Sequence, residues 1–184
     1  MQILSEELIL NTAEQLIEAK GMENVSLSSV ASELGMTHAA LYKYFKNKKT
    51  LWGALSIRWL DTILIETLTF KASEPVDKNQ LIHDWLWSFV NAKRNSYKKD
   101  AKMFALYTAY VDQDPELLAR HLNELAEKLT SLIGWEQENS VNIITTFTWF
   151  AAPAFAPAWL SNDFEEKFEA LWDFLAPSIQ QTLK

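Results

Sequence analysis

The side chains with the most recognition chemistry to offer are grouped between Ser26 and Leu51, in the run SLSSVASELGMTHAALYKYFKNKKTL. Ser26 and Thr37 are hydroxyl residues of the type that caps helix N-termini, and the backbone N–H groups after a cap can meet an anion. His38 can donate to guanine O6 or N7, and the methyl groups of Ala39 and Ala40 can lie against thymine methyls. Lys43 and Lys48 add positive charge to the same run, and Tyr42 and Tyr44 would be oddly exposed aromatics if they lacked a partner. No Asp or Glu occurs from Leu34 to Leu60, while Lys43, Lys46, Lys48, Lys49 and Arg58 are all cationic. Residues 59–184 carry 11 basic and 18 acidic side chains, a net of −7 that equals the formal charge of the whole chain. Attraction to a polyanion is therefore confined to one end.

Each of these residues also has a plainer reading. Thr37 can serve as a cap alone, His38 as an ordinary exposed histidine, and Lys43, Lys46 and Lys49 as a solvated face with at most a nonspecific electrostatic role. Catalysis finds little support. The chain has no cysteine, and its three histidines, His38, His83 and His121, are scattered. It has no glycine-rich phosphate loop and no metal-ligand spacing. Glu136, Glu138, Glu165 and Glu166 read as exposed helix charges, and His83 and His121 as structural histidines with satisfied partners. No catalytic residue, metal site or cofactor is expected.

Short helices must position this group. Leu27, Val30, Ala31 and Leu34 recur at helical spacing behind the Ser26 cap, and Gly35 can close that helix in a left-handed conformation. Thr37 caps a second helix from His38 to about Tyr44, with Leu41 and Phe45 directed to the core. Two helices split by so short a turn cross steeply, which is the helix-turn-helix arrangement, here spanning about 26–45. Ser5 caps an earlier helix whose stripe of Leu8, Ile9, Ala13, Leu16 and Ile17 ends at Gly21. Asn47 caps a fourth, running to about Phe70.

On these residues the sequence resembles the DNA-binding segment of TetR-type repressors. Val30-Ala31, Gly35, Leu41-Tyr42, Tyr44-Phe45, Lys48 and Leu51 stand at that family's spacing. The resemblance covers about Ser5 to Arg58; His38-Ala39-Ala40 departs from the Lys or Arg with Gly or Pro of many relatives, which bears on operator sequence. It implies phosphate contacts by Tyr42, Tyr44 and Lys48, a homodimer paired through its two C-terminal helices on a palindromic double-stranded DNA operator, and a small-molecule effector in the second lobe. The effector would tilt the fourth helix and change the distance between two reading heads. Twofold symmetry is also favoured physically, since one helix-turn-helix makes few contacts and a dimer doubles them.

The remainder reads as all-α. The expected organisation is a three-helix DNA-binding domain over 1–47, a connecting helix over 48–70 and an effector-binding and dimerisation domain over 71–184, with about nine helices in all. Pro75 marks the break at 71–79. Helices are expected from the Asp77 cap to about Asn95, from Asp100 to Val111, and from Asp114-Pro115 to Gly134. A long apolar stretch follows from Glu136 to about Trp159, kinked or ended by Pro153 and Pro157. The last helix is expected behind Ser161 or Asn162, with Pro177 bending its final turn. At 184 residues and 48% hydrophobic content the chain can bury a substantial core. Glu6, Glu7, Glu14 and Glu18 interrupt the first apolar stretch, and no uncharged run reaches bilayer length, so a soluble cytoplasmic protein without membrane contact is expected. Trp85, Phe89, Phe104, Tyr107, Tyr110, Phe147 and Phe150 are candidates for an apolar effector pocket; core packing is the plainer account of each. A helix-turn-helix regulator or adaptor controlled by a protein partner is the alternative function.

Overall fold

The computed structural model describes residues 5–71 and 77–183, and the expected linker around Pro75 lies outside them. Among the described residues there are eleven α-helices, two 3₁₀ segments and no strand. Two of the helices are single four-residue turns, so nine longer ones remain. The chain divides into two compact units, Met1–Arg58 and Trp59–Lys184.

In the first unit α1 spans Glu6–Lys20. Ser5 Oγ accepts from the Leu8 N–H at 3.2 Å, Glu6 and Glu7 meet the positive end of the helix dipole, and Gly21 (φ 80°) closes the helix. Ile9, Ala13, Leu16 and Ile17 are buried along one stripe. A 3₁₀ turn, Met22–Asn24, then leads to α2, Leu27–Glu33. The Ser26 and Ser29 side chains cap each other's backbone N–H there, a reciprocal arrangement that satisfies two donors of the first turn. Gly35 (φ 62°) makes the turn, and α3 follows as His38–Tyr42. That helix is shorter than expected, because the chain leaves it at Lys43. α4, Lys48–Ile63, starts behind Asn47, whose Oδ1 accepts from Thr50 N–H at 2.9 Å. Leu41, Phe45, Leu51, Trp52 and Leu55 are all buried. Each contributes roughly 1.5–3 kcal/mol of transfer free energy.

The fourth helix does not run unbroken to Phe70. The backbone departs from helix at Leu64 (φ −99°, ψ 12°), and Ile65–Leu68 forms a separate turn, α5. Tertiary bonds explain the break: the Thr67 and Ser88 hydroxyls are 2.9 Å apart, and Trp85 Nε1 donates to Thr67 O at 3.2 Å. These fix the last turn against the next helix instead of along the axis of α4.

α6, Lys78–Lys99, is the hub of the second unit and extends four residues past its expected end. Around it lie α7 (Ala101–Asp112), α8 (Pro115–Ile133), α9 (Gln137–Thr146), α10 (Thr148–Ala151), a 3₁₀ segment (Pro153–Leu160) and α11 (Phe164–Thr182). α6 packs against α5, α7, α8, α10, the 3₁₀ segment and α11. The stretch from Glu136 to Trp159 is three pieces: its α-helical part ends before Pro153, one of the two outcomes expected there, but it is already interrupted at Phe147. α9 ends at Phe147, and Ala152 is extended (ψ 131°) before Pro153, whose ring disfavours helical geometry in its predecessor. Arg94 Nε donates to Trp159 O at 2.8 Å and Trp159 Nε1 to Trp149 O at 2.7 Å, which holds the 3₁₀ segment in place. The last helix starts later than Ser161 or Asn162 would place it. Asp163 occupies the cap position and makes no side-chain cap bond. Pro177 lies inside α11, which continues to Thr182.

Candidate DNA-contact surface and ligand cavity

α3 separates its residues cleanly. Leu41 is fully buried, with Phe45 just beyond it, while Thr37, His38, Ala39, Lys43 and Lys48 are exposed and Ala40 is half-buried. Tyr42 and Tyr44 are 42% and 41% exposed, high values for aromatic side chains. Thr37 Oγ1 accepts from Ala40 N–H at 3.3 Å, so it caps α3 as expected. His38 meets Tyr42 edge to face with centroids 4.6 Å apart, which orders both rings on one outward face. Lys48 begins α4 with its ammonium 5.4 Å from the Trp52 ring. Ser26 is exposed at the start of α2, where its hydroxyl also serves the cap.

One member of the cationic group has another task. Arg58 Nη2 lies 2.5 Å from Glu14 Oε2 and Nη1 donates to Asn11 Oδ1 at 2.7 Å, both on α1. It ties α4 to α1 and is neutralised locally.

The second unit contains a cavity of about 310 Å³. It is bounded by Phe89 and Lys93 of α6, Thr108, Val111 and Asp112 of α7, Leu118, His121 and Leu122 of α8, Ile144 and Thr145 of α9, and Thr148, Ala151, Ala152 and Pro153 beyond it. Leu60, near the end of α4, completes it. Of the seven aromatics expected around a pocket, Phe89 lines this cavity. Trp85 is buried at the wall of a second, more polar pocket of about 260 Å³ beside Thr67 and Phe70. Phe104, Phe147 and Phe150 are buried in the core, where Phe147 and Phe150 pack on Phe168 of α11 at 5.2 and 5.7 Å. Tyr107 is buried and stacks on Trp59, and Tyr110 is half-buried outside the lining. Large rings meet one another edge to face and close the core, so the open space falls where small residues and polar groups interrupt them.

The polar groups of the cavity were missed on sequence. Lys93 is buried, and burial lowers its pKa to about 8 against an opposing pull from Asp112. His121 is also buried; burial first, then the Lys93 charge, hold its pKa down to about 3. Among the described residues its Nε2 has no hydrogen-bond partner, which corrects the expectation of a satisfied structural histidine. His83 does meet that expectation, lying between Asp84 at 2.9 Å and Glu169 at 3.1 Å. A signal for Lys93 was present: it follows Ile82, Leu86, Phe89 and Val90 at the spacing of the buried stripe. Among the described residues no cluster of three metal-binding side chains occurs, and no helix is long and apolar enough to cross a membrane.

Comparison with known proteins agrees with the geometry. The family of bacterial regulatory proteins, tetR family, matches residues 9–55, and the tetracyclin repressor-like C-terminal domain matches residues 79–141. The chain belongs to the tetR family of bacterial regulatory proteins. It is 32% identical to the Escherichia coli tetracycline repressor protein class C over 99 residues, 54% of this chain and 40% of that protein. It is 30% identical to the nucleoid occlusion factor SlmA of Haemophilus influenzae over 77 residues, 42% of this chain and 35% of that one. Both matches span less than half the length of the relative. Among solved structures, the TetR family repressor AlkX of Dietzia sp. has the same fold, with a TM-score of 0.63 at 16% identity over 97% of both chains. BioQ with its double-stranded DNA operator gives 0.54 at 20% identity, over 95% of this chain and 99% of that one.

Proposed function

We propose that this chain is a DNA-binding transcriptional repressor that reads a palindromic operator as a homodimer and answers to a small effector held in the second unit. The observation that carries the reading is the sorting of side chains along α3 and its flanks, with Leu41 and Phe45 inward and Thr37, His38, Ala39, Tyr42 and Tyr44 outward next to Lys48. In this reading His38, Ala39 and Ala40 face base edges, and Thr37, Tyr42, Tyr44 and Lys48 face phosphates. Lys43 adds nonspecific attraction. Pairing through α9 and α11 is supported by Phe174 of α11, which is 78% exposed, an unusual position for a phenylalanine without a covering surface. The cavity reaches α4 through Leu60, and α4 also carries Lys48. A ligand that favours one position of α4 thereby favours one spacing of the two reading heads, and DNA affinity changes by that preference alone.

Selection of bound duplexes from a random pool tests the first part. The expected product is an inverted repeat with half-sites about one helical turn, ~34–36 Å, apart. Recovery of single half-sites or of no sequence preference overturns the palindrome and the repressor reading.

A further inference from the structure

The cavity holds a charge that the protein does not match. The Lys93 ammonium has three N–H donors, and the described residues engage it through one hydrogen bond, to Ala151 O at 3.3 Å. The Phe89 ring lies 5.2 Å from Nζ. Among the described residues no carboxylate stands within ion-pair distance of Lys93. Asp112, the acid that acts on it through space, lines the cavity from the end of α7, where partial burial raises its carboxyl pKa against the pull of Lys93. A ligand carboxylate must therefore seat on the Lys93 and His121 side, away from Asp112. His121 lines the same cavity and feels the Lys93 charge, and its buried Nε2 is unpaired among the described residues. A neutral imidazole can carry its proton on Nε2 and donate it. Phe89, Val111, Leu118, Leu122 and Ile144 give the wall an apolar face, interrupted by Asp112 and by threonine side chains.

Taking this cavity to be the effector site proposed above, we infer that the effector is a small amphipathic carboxylate whose head group accepts from the Lys93 ammonium and the His121 Nε2–H while its apolar body lies on Phe89, Val111, Leu118 and Leu122. An anion answers both open donors at once. A neutral apolar molecule leaves them unpaired inside a low-dielectric wall, and a cation meets like charge. The volume of about 310 Å³ stands at the lower end of ligand sites and fits one ring or a medium alkyl chain.

Thermal shift followed by titration calorimetry on the full chain tests this with matched ligands: octanoate and decanoate against their amides and octylammonium, and cinnamate against cinnamamide. At least one acid is expected to bind about tenfold to a hundredfold tighter than its amide, the worth of a charge-assisted pair of hydrogen bonds. Alkyl or aryl acids responding alone identifies the body of the ligand. Lys93→Met is expected to erase the preference for acid over amide while keeping the weaker binding of the apolar part. If that variant fails to fold, Lys93→Gln supplies the same comparison, and the acid-to-amide ratio of the natural chain decides in any case. Amides or octylammonium binding as tightly as the acids, or a preference that survives at position 93, overturns the carboxylate and leaves a small-molecule effector standing. No stabilisation by any charge class overturns both.

Discussion

At the residue scale, exposure and pairing decide which side chains are free to act. Tyr42 and Lys48 stand outward on either side of the turn after α3, so Tyr42→Phe and Lys48→Ala should weaken binding to specific and random duplexes alike. For Lys48→Ala the slope of log affinity against log salt should fall by about one. A change confined to one base pair of the site would contradict the phosphate assignment. The buried pair in the cavity makes a pH prediction. His121 has a folded pKa of about 3 against 6.5 for the free group, so below pH 6.5 the unfolded chain takes up a proton that the native one refuses. Stability should therefore fall with acidification between pH 6.5 and 3, and His121→Leu should flatten that slope in urea titrations. Lys93 behaves in the alkaline range. Between pH 8 and 10.5 the native ammonium is already deprotonated while the unfolded one is not, so its burial cost is relieved as pH rises through that window. At pH 7 the cost is on the order of 3 kcal/mol, and Lys93→Met should recover a good part of it.

At the element scale, the turn between α2 and α3 depends on Gly35, whose φ of 62° is strained for any side chain although no atom lies within 4 Å of a Cβ placed there. Gly35→Ala should cost about 1–2 kcal/mol of folding stability through backbone conformation alone, measured by urea unfolding. Leu41→Ala, by contrast, empties a fully buried site and should cost about 2–5 kcal/mol. The same local rules made α1 to α3, the Asp77, Asp100 and Asp114 caps and the stop at Gly134 legible in the sequence, because a cap and a glycine act within a few residues. What could not be read locally was set by distant partners. The break at Leu64 comes from bonds to Ser88 and Trp85, and the short pieces after α9 are held by Arg94. The cavity belongs to the same class: its polar pair comes from α6 and α8, and neither Lys93 nor His121 announces the other in the sequence.

At the scale of the whole molecule, the cationic residues and the acidic excess are separated along the chain, which confines contact with a polyanion to the first unit. The exposed Phe174 is the feature that argues for a second copy. Light scattering should return twice the chain mass, and Phe174→Glu should shift the protein toward monomer and reduce operator binding steeply, since one reading head keeps only half of the contacts. A variant that stays dimeric would place the pairing surface elsewhere. The arrangement of Trp59 has a practical bearing on all of these measurements. Its indole lies 5.1 Å from the Tyr107 ring at 15° between planes, one residue before the Leu60 that lines the cavity. The molecule thus carries a built-in optical gauge: any shift of α4 against α7 alters the overlap of those rings, and the emission component lost in Trp59→Phe will record that shift without an added dye.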